Sequence, residues 1–129
     1  MKVILLSGAP NSGKTTTLNK VYDELIGLGA VPLRPKKQLG GNPNDFECVL
    51  TYMAKQIAIF TMGDFSIEVI HAMSFYEGMG CDVLIVANSD KAMPIKRLSR
   101  YPSNVHIWKT MPLNDKSNES DKNLIISHI

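Results

Sequence analysis

The chain has 129 residues, 44% hydrophobic and 20% charged, which is enough apolar material for one packed domain over residues 1–129 and the balance of an ordinary globular protein. Fourteen Lys and Arg against twelve Asp and Glu leave a net charge of +2, too small a surplus to imply nucleic acid or a membrane as the partner. No apolar run approaches the ~20 residues of a membrane span, and Val3 to Leu6 is shorter than the roughly 7–15 residues of a signal-peptide core, so a cytoplasmic location is expected.

In chain order, Lys2 to Leu6 is a short apolar strand rich in β-branched residues. After "GAPNSGKT" a helix is expected from Lys14 to about Leu28, with Leu18, Val21, Tyr22, Leu25 and Leu28 at helical spacing and Gly27 and Gly29 at its end. Residues 31–45, "VPLRPKKQLGGNPND", carry three prolines that exclude a helix and read as a long loop with at most a short extended start. Two strand-like runs follow, Phe46 to Met53 and Gln56 to Thr61. Only Ala54-Lys55 separates them, a connection that permits an antiparallel hairpin but not a parallel pair, although Ala-Lys is not a favoured turn pair. A second helix over Ser66 to Met79 presents Val69, Ala72, Met73, Tyr76 and Met79.

Val83 to Ala87 is another buried strand, and a short basic helix, Ile95 to Arg100, leads to a final strand "NVHIWK". A polar linker, 112–117, precedes a C-terminal helix with Leu124, Ile125 and Ile129 inward. Cys48 and Cys81 lie in or beside apolar runs and read as reduced core residues, while His71, His106 and His128 form no cluster. Alternating strands and helices predict an α/β fold, with a mostly parallel sheet of about five strands, one antiparallel edge strand and helices on both faces. A ligand then belongs at the carboxyl ends of the strands, at Gly8 to Thr15, Thr61 to Asp64 and Asn88 to Asp90.

The first of these segments carries the clearest chemistry. Glycine, four residues, glycine, lysine and threonine between a strand and a helix form a phosphate cradle. Gly8 and Gly13 permit close backbone approach, and Ala9, Pro10, Asn11, Ser12 and Thr16 complete the lining. The helix N-terminus favours an anion at the same spot. Lys14 reaches the β- and γ-phosphates, and the Thr15 hydroxyl ligates Mg²⁺. The alternative is a glycine-rich turn with a solvated lysine.

A nucleotide site also needs an acidic group. The apolar strand that should end in one ends instead in Phe60 and Thr61, and Asp64 follows three residues later on a strand expected to lie beside the cradle. Asp64 either serves the γ-phosphate region, as catalytic group with Lys14 or as metal ligand, or caps the next helix. Asp45 either approaches the metal or forms a turn with Asn44. Arg34, Lys36 and Lys37 are expected to face the phosphates or to be a solvated run, and Lys96, Arg97 and Arg100 to form a minimal lid or a solvated face.

These residues resemble the P-loop NTPase superfamily: element order matches from Lys2 to about Lys109, and the specific motif is Gly8 to Thr15. The resemblance implies a three-layer P-loop fold that binds a nucleoside triphosphate with Mg²⁺. The hairpin before "GD" is similar to the switch region of Ras-like GTPases, which implies that Gly63 senses the γ-phosphate and Asp64 positions water. The guanine-reading Asn-Lys-x-Asp motif is replaced by "NSDK", Asn88 to Lys91, so ATP is expected ahead of GTP. "LGGNPNDF" and "FTMGD" also resemble small bacterial proteins described as ATP-binding. Three functions follow from these readings: a small ATPase, a kinase for a nucleotide or other metabolite, or a nucleotide-dependent interaction module using loop 31–45 for a protein partner.

Overall fold

The computed structural model describes residues 1–129. In chain order the elements are β1 (Lys2–Ser7), α1 (Lys14–Gly27), β2 (Val31–Gln38), β3 (Phe46–Tyr52), β4 (Lys55–Phe60), α2 (Ser66–Met79), β5 (Val83–Asn88), α3 (Ala92–Arg97), β6 (Asn104–Trp108) and α4 (Asp115–Ser127). All six strands form one sheet in the order β2-β3-β4-β5-β1-β6. β4, β5, β1 and β6 are mutually parallel, and β3 runs antiparallel to both its neighbours. No helix is long and apolar enough to cross a membrane.

The central strands are continuous apolar runs because both their faces are covered. Side chains alternate between the faces, so β1 sends Ile4 and Leu6 to one core and Val3 and Leu5 to the other. α1 supplies Leu18, Val21 and Leu25 to the first core, and α4 supplies Ile125. α2 supplies Val69, Ala72, Met73 and Tyr76 to the second, joined by Leu98 and Tyr101. The sheet therefore lies between two helical layers, as its alternating sequence predicts.

Several expectations change. Residues 31–38 are a strand, β2, so the sheet has six strands and the antiparallel member β3 is internal. Pro32 and Pro35 are tolerated because β2 is an edge strand, and its ladder with β3 is interrupted by two register shifts. All eight residues of β2 are exposed, so no apolar alternation marks it. The β3–β4 turn is centred on Met53 and Ala54, both left-handed (φ 50° and 62°), rather than on Ala54-Lys55. Two positive φ values match the twist of a tight hairpin, here without its usual Asn-Gly signature.

The remaining changes concern the C-terminal half and the strand order. The basic helix begins earlier, at Ala92, with Pro94 in its first turn, and ends in a 3-10 turn over Leu98–Arg100. α4 begins at Asp115, so the linker is shorter than 112–117; the Asn114 side-chain oxygen Oδ1 accepts from Ser117 N–H at 2.8 Å and caps the helix. Its inward face carries Ile125, while Leu124 is exposed. Finally, β5 intervenes between β4 and β1, so the strand leading to Asp64 does not adjoin the strand leading to Gly8.

Candidate functional site

The segment from Gly8 to Gly13 turns the chain from the end of β1 into α1. Gly8 N–H donates to Asn88 O (3.1 Å), tying the turn to β5, and Ser12 N–H donates to Ala9 O (3.2 Å). Gly13 precedes the helix with φ 89°, a left-handed conformation that strains any residue with a Cβ. The first helical bond is Thr17 N–H to Gly13 O (2.9 Å); the N–H groups of Gly13, Lys14, Thr15 and Thr16 have no carbonyl partner, and no side chain caps the helix.

Lys14 is buried and folds back over the turn, donating to Gly8 O (2.9 Å) and Ala9 O (2.8 Å). Burial lowers its pKa from the ordinary lysine value, and the charges of Asp64 and Asp90 partly oppose that shift. Beside it the Ser12 hydroxyl is buried with no hydrogen-bond partner. An orphaned donor among free N–H groups is costly unless a ligand answers it.

Residues 11–16 form the floor of a polar cavity of about 320 Å³. Its walls come from Asn42, Asn44 and Asp45 after β2, from Thr61, Gly63 and Asp64 after β4, and from Ser89 after β5; Leu113 is its one hydrophobic lining residue. The Asp45 Oδ1 atom accepts from Thr15 Oγ1 and from Thr61 Oγ1, both at 2.9 Å. Asp45 therefore reaches the hydroxyl expected to ligate a metal, across thirty residues of chain. Asp64 accepts from Ser89 Oγ at 2.6 Å and does not cap α2, whose N-cap is Phe65 without a side-chain bond. Gly63 lets this loop cross the end of β5: a Cβ there would lie 2.6 Å from the Ala87 carbonyl carbon. That close approach brings the β4 loop to the cavity although β4 and β1 are not neighbours.

Two carboxylates face one lysine in this cavity, an arrangement that repels a polyanion unless a cation stands between them. No group of three or more His, Cys, Asp or Glu side chains is placed to hold a metal by itself. Mg²⁺ commonly takes one or two protein oxygens and completes its octahedron with phosphates and waters. The Thr15 hydroxyl and the Asp45 carboxylate fit that pattern.

Other expected contributors lie elsewhere. Arg34, Lys36 and Lys37 do not line the cavity. Lys36 donates to Asn19 Oδ1 (2.8 Å) and lies 4.3 Å and 4.4 Å from the ring centroids of Tyr22 and Phe46. Lys96, Arg97 and Arg100 do not line it either. Asn88 is committed to structure: its amide donates to Ser7 Oγ and Lys91 O and accepts from Lys91 N–H. Cys48 and Cys81 are buried free thiols, and burial pushes the Cys48 pKa up to about 12.

The sequence reading missed the brace behind the cradle. Lys109 Nζ pairs with Asp121 Oδ2 at 2.7 Å, both side chains at most 2% exposed, and Thr110 donates to Asp121 from its N–H (2.9 Å) and hydroxyl (2.6 Å). Lys109 packs against Gly8 and Gly13. The signal was present in α4, where the buried positions Ser117, Asn118, Asp121, Lys122 and Ile125 have helical spacing but are mostly polar. The chain matches no protein-family model, no curated protein and no solved structure.

Proposed function

We propose that this protein has a three-layer P-loop NTPase fold and binds a nucleoside triphosphate, ATP in preference to GTP, with Mg²⁺. The observation that carries the reading is the cradle itself. Four unpartnered N–H groups, the orphaned Ser12 hydroxyl and Lys14 surround one polar cavity at the carboxyl end of the sheet. A triphosphate answers all of these donors at once. Thr15 and Asp45 would hold the metal, which when bound offsets phosphate charge beside the carboxylates. Asp64 would orient a water or another acceptor nucleophile at the far wall, since its carboxylate lines the cavity and is not spent on capping α2. ATP is favoured because Asn88, the residue nearest in pattern to a guanine reader, has its amide engaged.

The test is calorimetric titration of Mg-ATP into the parent and Lys14→Ala. A charge-assisted contact contributes about 1.5–3 kcal/mol, so the variant should bind roughly 10–100-fold more weakly. Equal affinity would defeat the reading.

A further inference from the structure

Asn19 lies in α1 one turn after Thr15, and its amide uses both of its N–H bonds and its oxygen. Nδ2 donates to Thr15 O at 2.9 Å and to Asn44 O at 3.0 Å, and Oδ1 accepts from Lys36 Nζ at 2.8 Å. Thr15 carries the hydroxyl proposed for the metal, and Asn44 immediately precedes Asp45. The amide therefore ties the main chain at one proposed ligand to the main chain beside the other. Within that tie Thr15 Oγ1 meets Asp45 Oδ1 at 2.9 Å.

Lys36 fixes the direction of this amide. Turned over, Asn19 would aim its two N–H bonds at an ammonium and its oxygen at two carbonyls, so donors would face donors and acceptors acceptors. The ammonium is held in turn by aromatic rings, 4.3 Å from the Tyr22 centroid and 4.4 Å from that of Phe46. The two rings meet edge to face at 5.7 Å. Phe46 is buried in the core under α1 and Tyr22 packs against the same core, so the support is anchored. Lys36 has no carboxylate partner in the chain. Lys37, the next residue, turns instead to a pocket beside Phe75 and Tyr76 of α2.

We infer that Lys36, acting through Asn19, is a positioning residue for the Mg²⁺ site: it sets the amide that holds Asp45 against Thr15. The inference rests on the metal role proposed for those two residues. Groups that orient metal ligands govern metal affinity nearly as strongly as the ligands do, because a ligand already in place loses less freedom on binding. Lys36 and Asn19 do not line the cavity, so removing either side chain leaves the phosphate-facing donors where they are.

Two measurements test it, with circular dichroism as the check on fold. Methionine keeps an aliphatic stem over the rings at position 36, and alanine is a better helix former than asparagine at position 19, so Lys36→Met and Asn19→Ala should both fold. In nucleotide-free protein, hydrogen exchange over residues 39–45 should quicken at least about threefold in both variants. Lys36→Arg keeps a cation and a donor and should exchange like the parent, as should Lys37→Met. In calorimetric titrations of ATP at varied Mg²⁺, Lys36→Met and Asn19→Ala should need about three- to fivefold more Mg²⁺ for half-maximal binding, with parental affinity at saturating metal. Adding Lys36→Met to Asp45→Asn should raise the requirement no further, because the path runs through that carboxylate. Parental exchange in Lys36→Met would overturn the inference. So would faster exchange with an unchanged Mg²⁺ requirement, or a full additional loss in the double variant. Those outcomes, with a parent that binds Mg-ATP, defeat this inference alone; a parent that binds no Mg-ATP defeats the nucleotide reading and the metal role of Lys36 with it.

Discussion

The two flanks of the cradle are built differently. On the β6–α4 side the contacts are dense and buried: the Lys109–Asp121 pair, two bonds from Thr110, Thr17 Oγ1 to Asn118 Oδ1 at 3.3 Å, and Leu113 against Gly13. On the β2–β4 side the cavity wall is bonded mostly to itself, with Leu39 N–H donating to Asp45 O at 2.9 Å and Asp45 N–H to Asn42 O at 3.1 Å, and few bonds tie it to α1. Asp45 links to two hydroxyls, Asn19 donates to Asn44 O at 3.0 Å, and Gly40 touches Met62, all beneath an exposed edge strand. The difference assigns labour. A buried, saturated network keeps the unpartnered N–H groups of residues 13–16 aimed before any ligand arrives, while a thinly tied wall can respond to one.

The largest expected effect strikes the closed flank. Asp121→Leu leaves the Lys109 ammonium buried without a partner and strips Thr110 of its acceptor, which should cost about 3–5 kcal/mol. That is a large part of the ~5–15 kcal/mol stability of a typical domain. Lys109→Met with Asp121→Asn removes the charges but keeps an acceptor for Thr110, and should recover most of the loss. Denaturant midpoints of the three proteins decide the matter; a tolerated Asp121→Leu would mean that this flank is not a brace.

The same pair sets an acid limit. Burial raises the Asp121 pKa, but the bonds from Lys109 and Thr110 outweigh it and leave the carboxyl below its ordinary value. A depressed carboxyl stabilises the fold above its unfolded pKa of about 4, and that contribution disappears as pH falls through the lower folded value. The double variant should lack this part of the acid transition.

A smaller effect, on chemistry alone, is expected at the cavity wall. In Asp64→Asn the amide oxygen can still accept from Ser89 Oγ, so fold and nucleotide affinity should hold. If the carboxylate orients a nucleophile, turnover should fall by about 100-fold. Parental turnover in the variant would remove Asp64 from the reaction.

The contrast between flanks also explains what could be read from the chain. The cradle was legible because its motif is local: strand, turn and helix occupy consecutive residues. Asp64 was legible as a strand-end residue, although its route to the cavity depends on Gly63 crossing β5, which no local pattern encodes. β2 was hidden because an exposed edge strand has no apolar alternation and tolerates proline. The brace was hidden because helix-period analysis looks for apolar faces and α4 buries a polar one. Of the two readings open for Arg34, Lys36 and Lys37, the exposed one agrees with the structure, and the sequence could not choose because proximity to a ligand loop says nothing about the sheet face on which a side chain emerges.

The least disruptive change should be the most informative about the open flank. Asp45 meets Thr15 and Thr61 through one carboxylate oxygen, and asparagine can present an oxygen to the same hydroxyls, so Asp45→Asn should cost less than about 1 kcal/mol of stability. It lacks the charge that would hold Mg²⁺. Nucleotide binding should then require roughly tenfold more Mg²⁺, with little change at saturating metal. Hydrogen exchange reads the same contrast along the backbone. Mg-ATP should protect residues 39–45 in the parent much more than in Asp45→Asn, because metal coordination is what would fasten this wall to the cradle. Residues 109–118 should be protected alike in both proteins, with and without nucleotide. Equal protection of residues 39–45 in parent and variant would detach Asp45 from the metal. A nucleotide-dependent change confined to residues 109–118 would reverse the roles assigned to the two flanks.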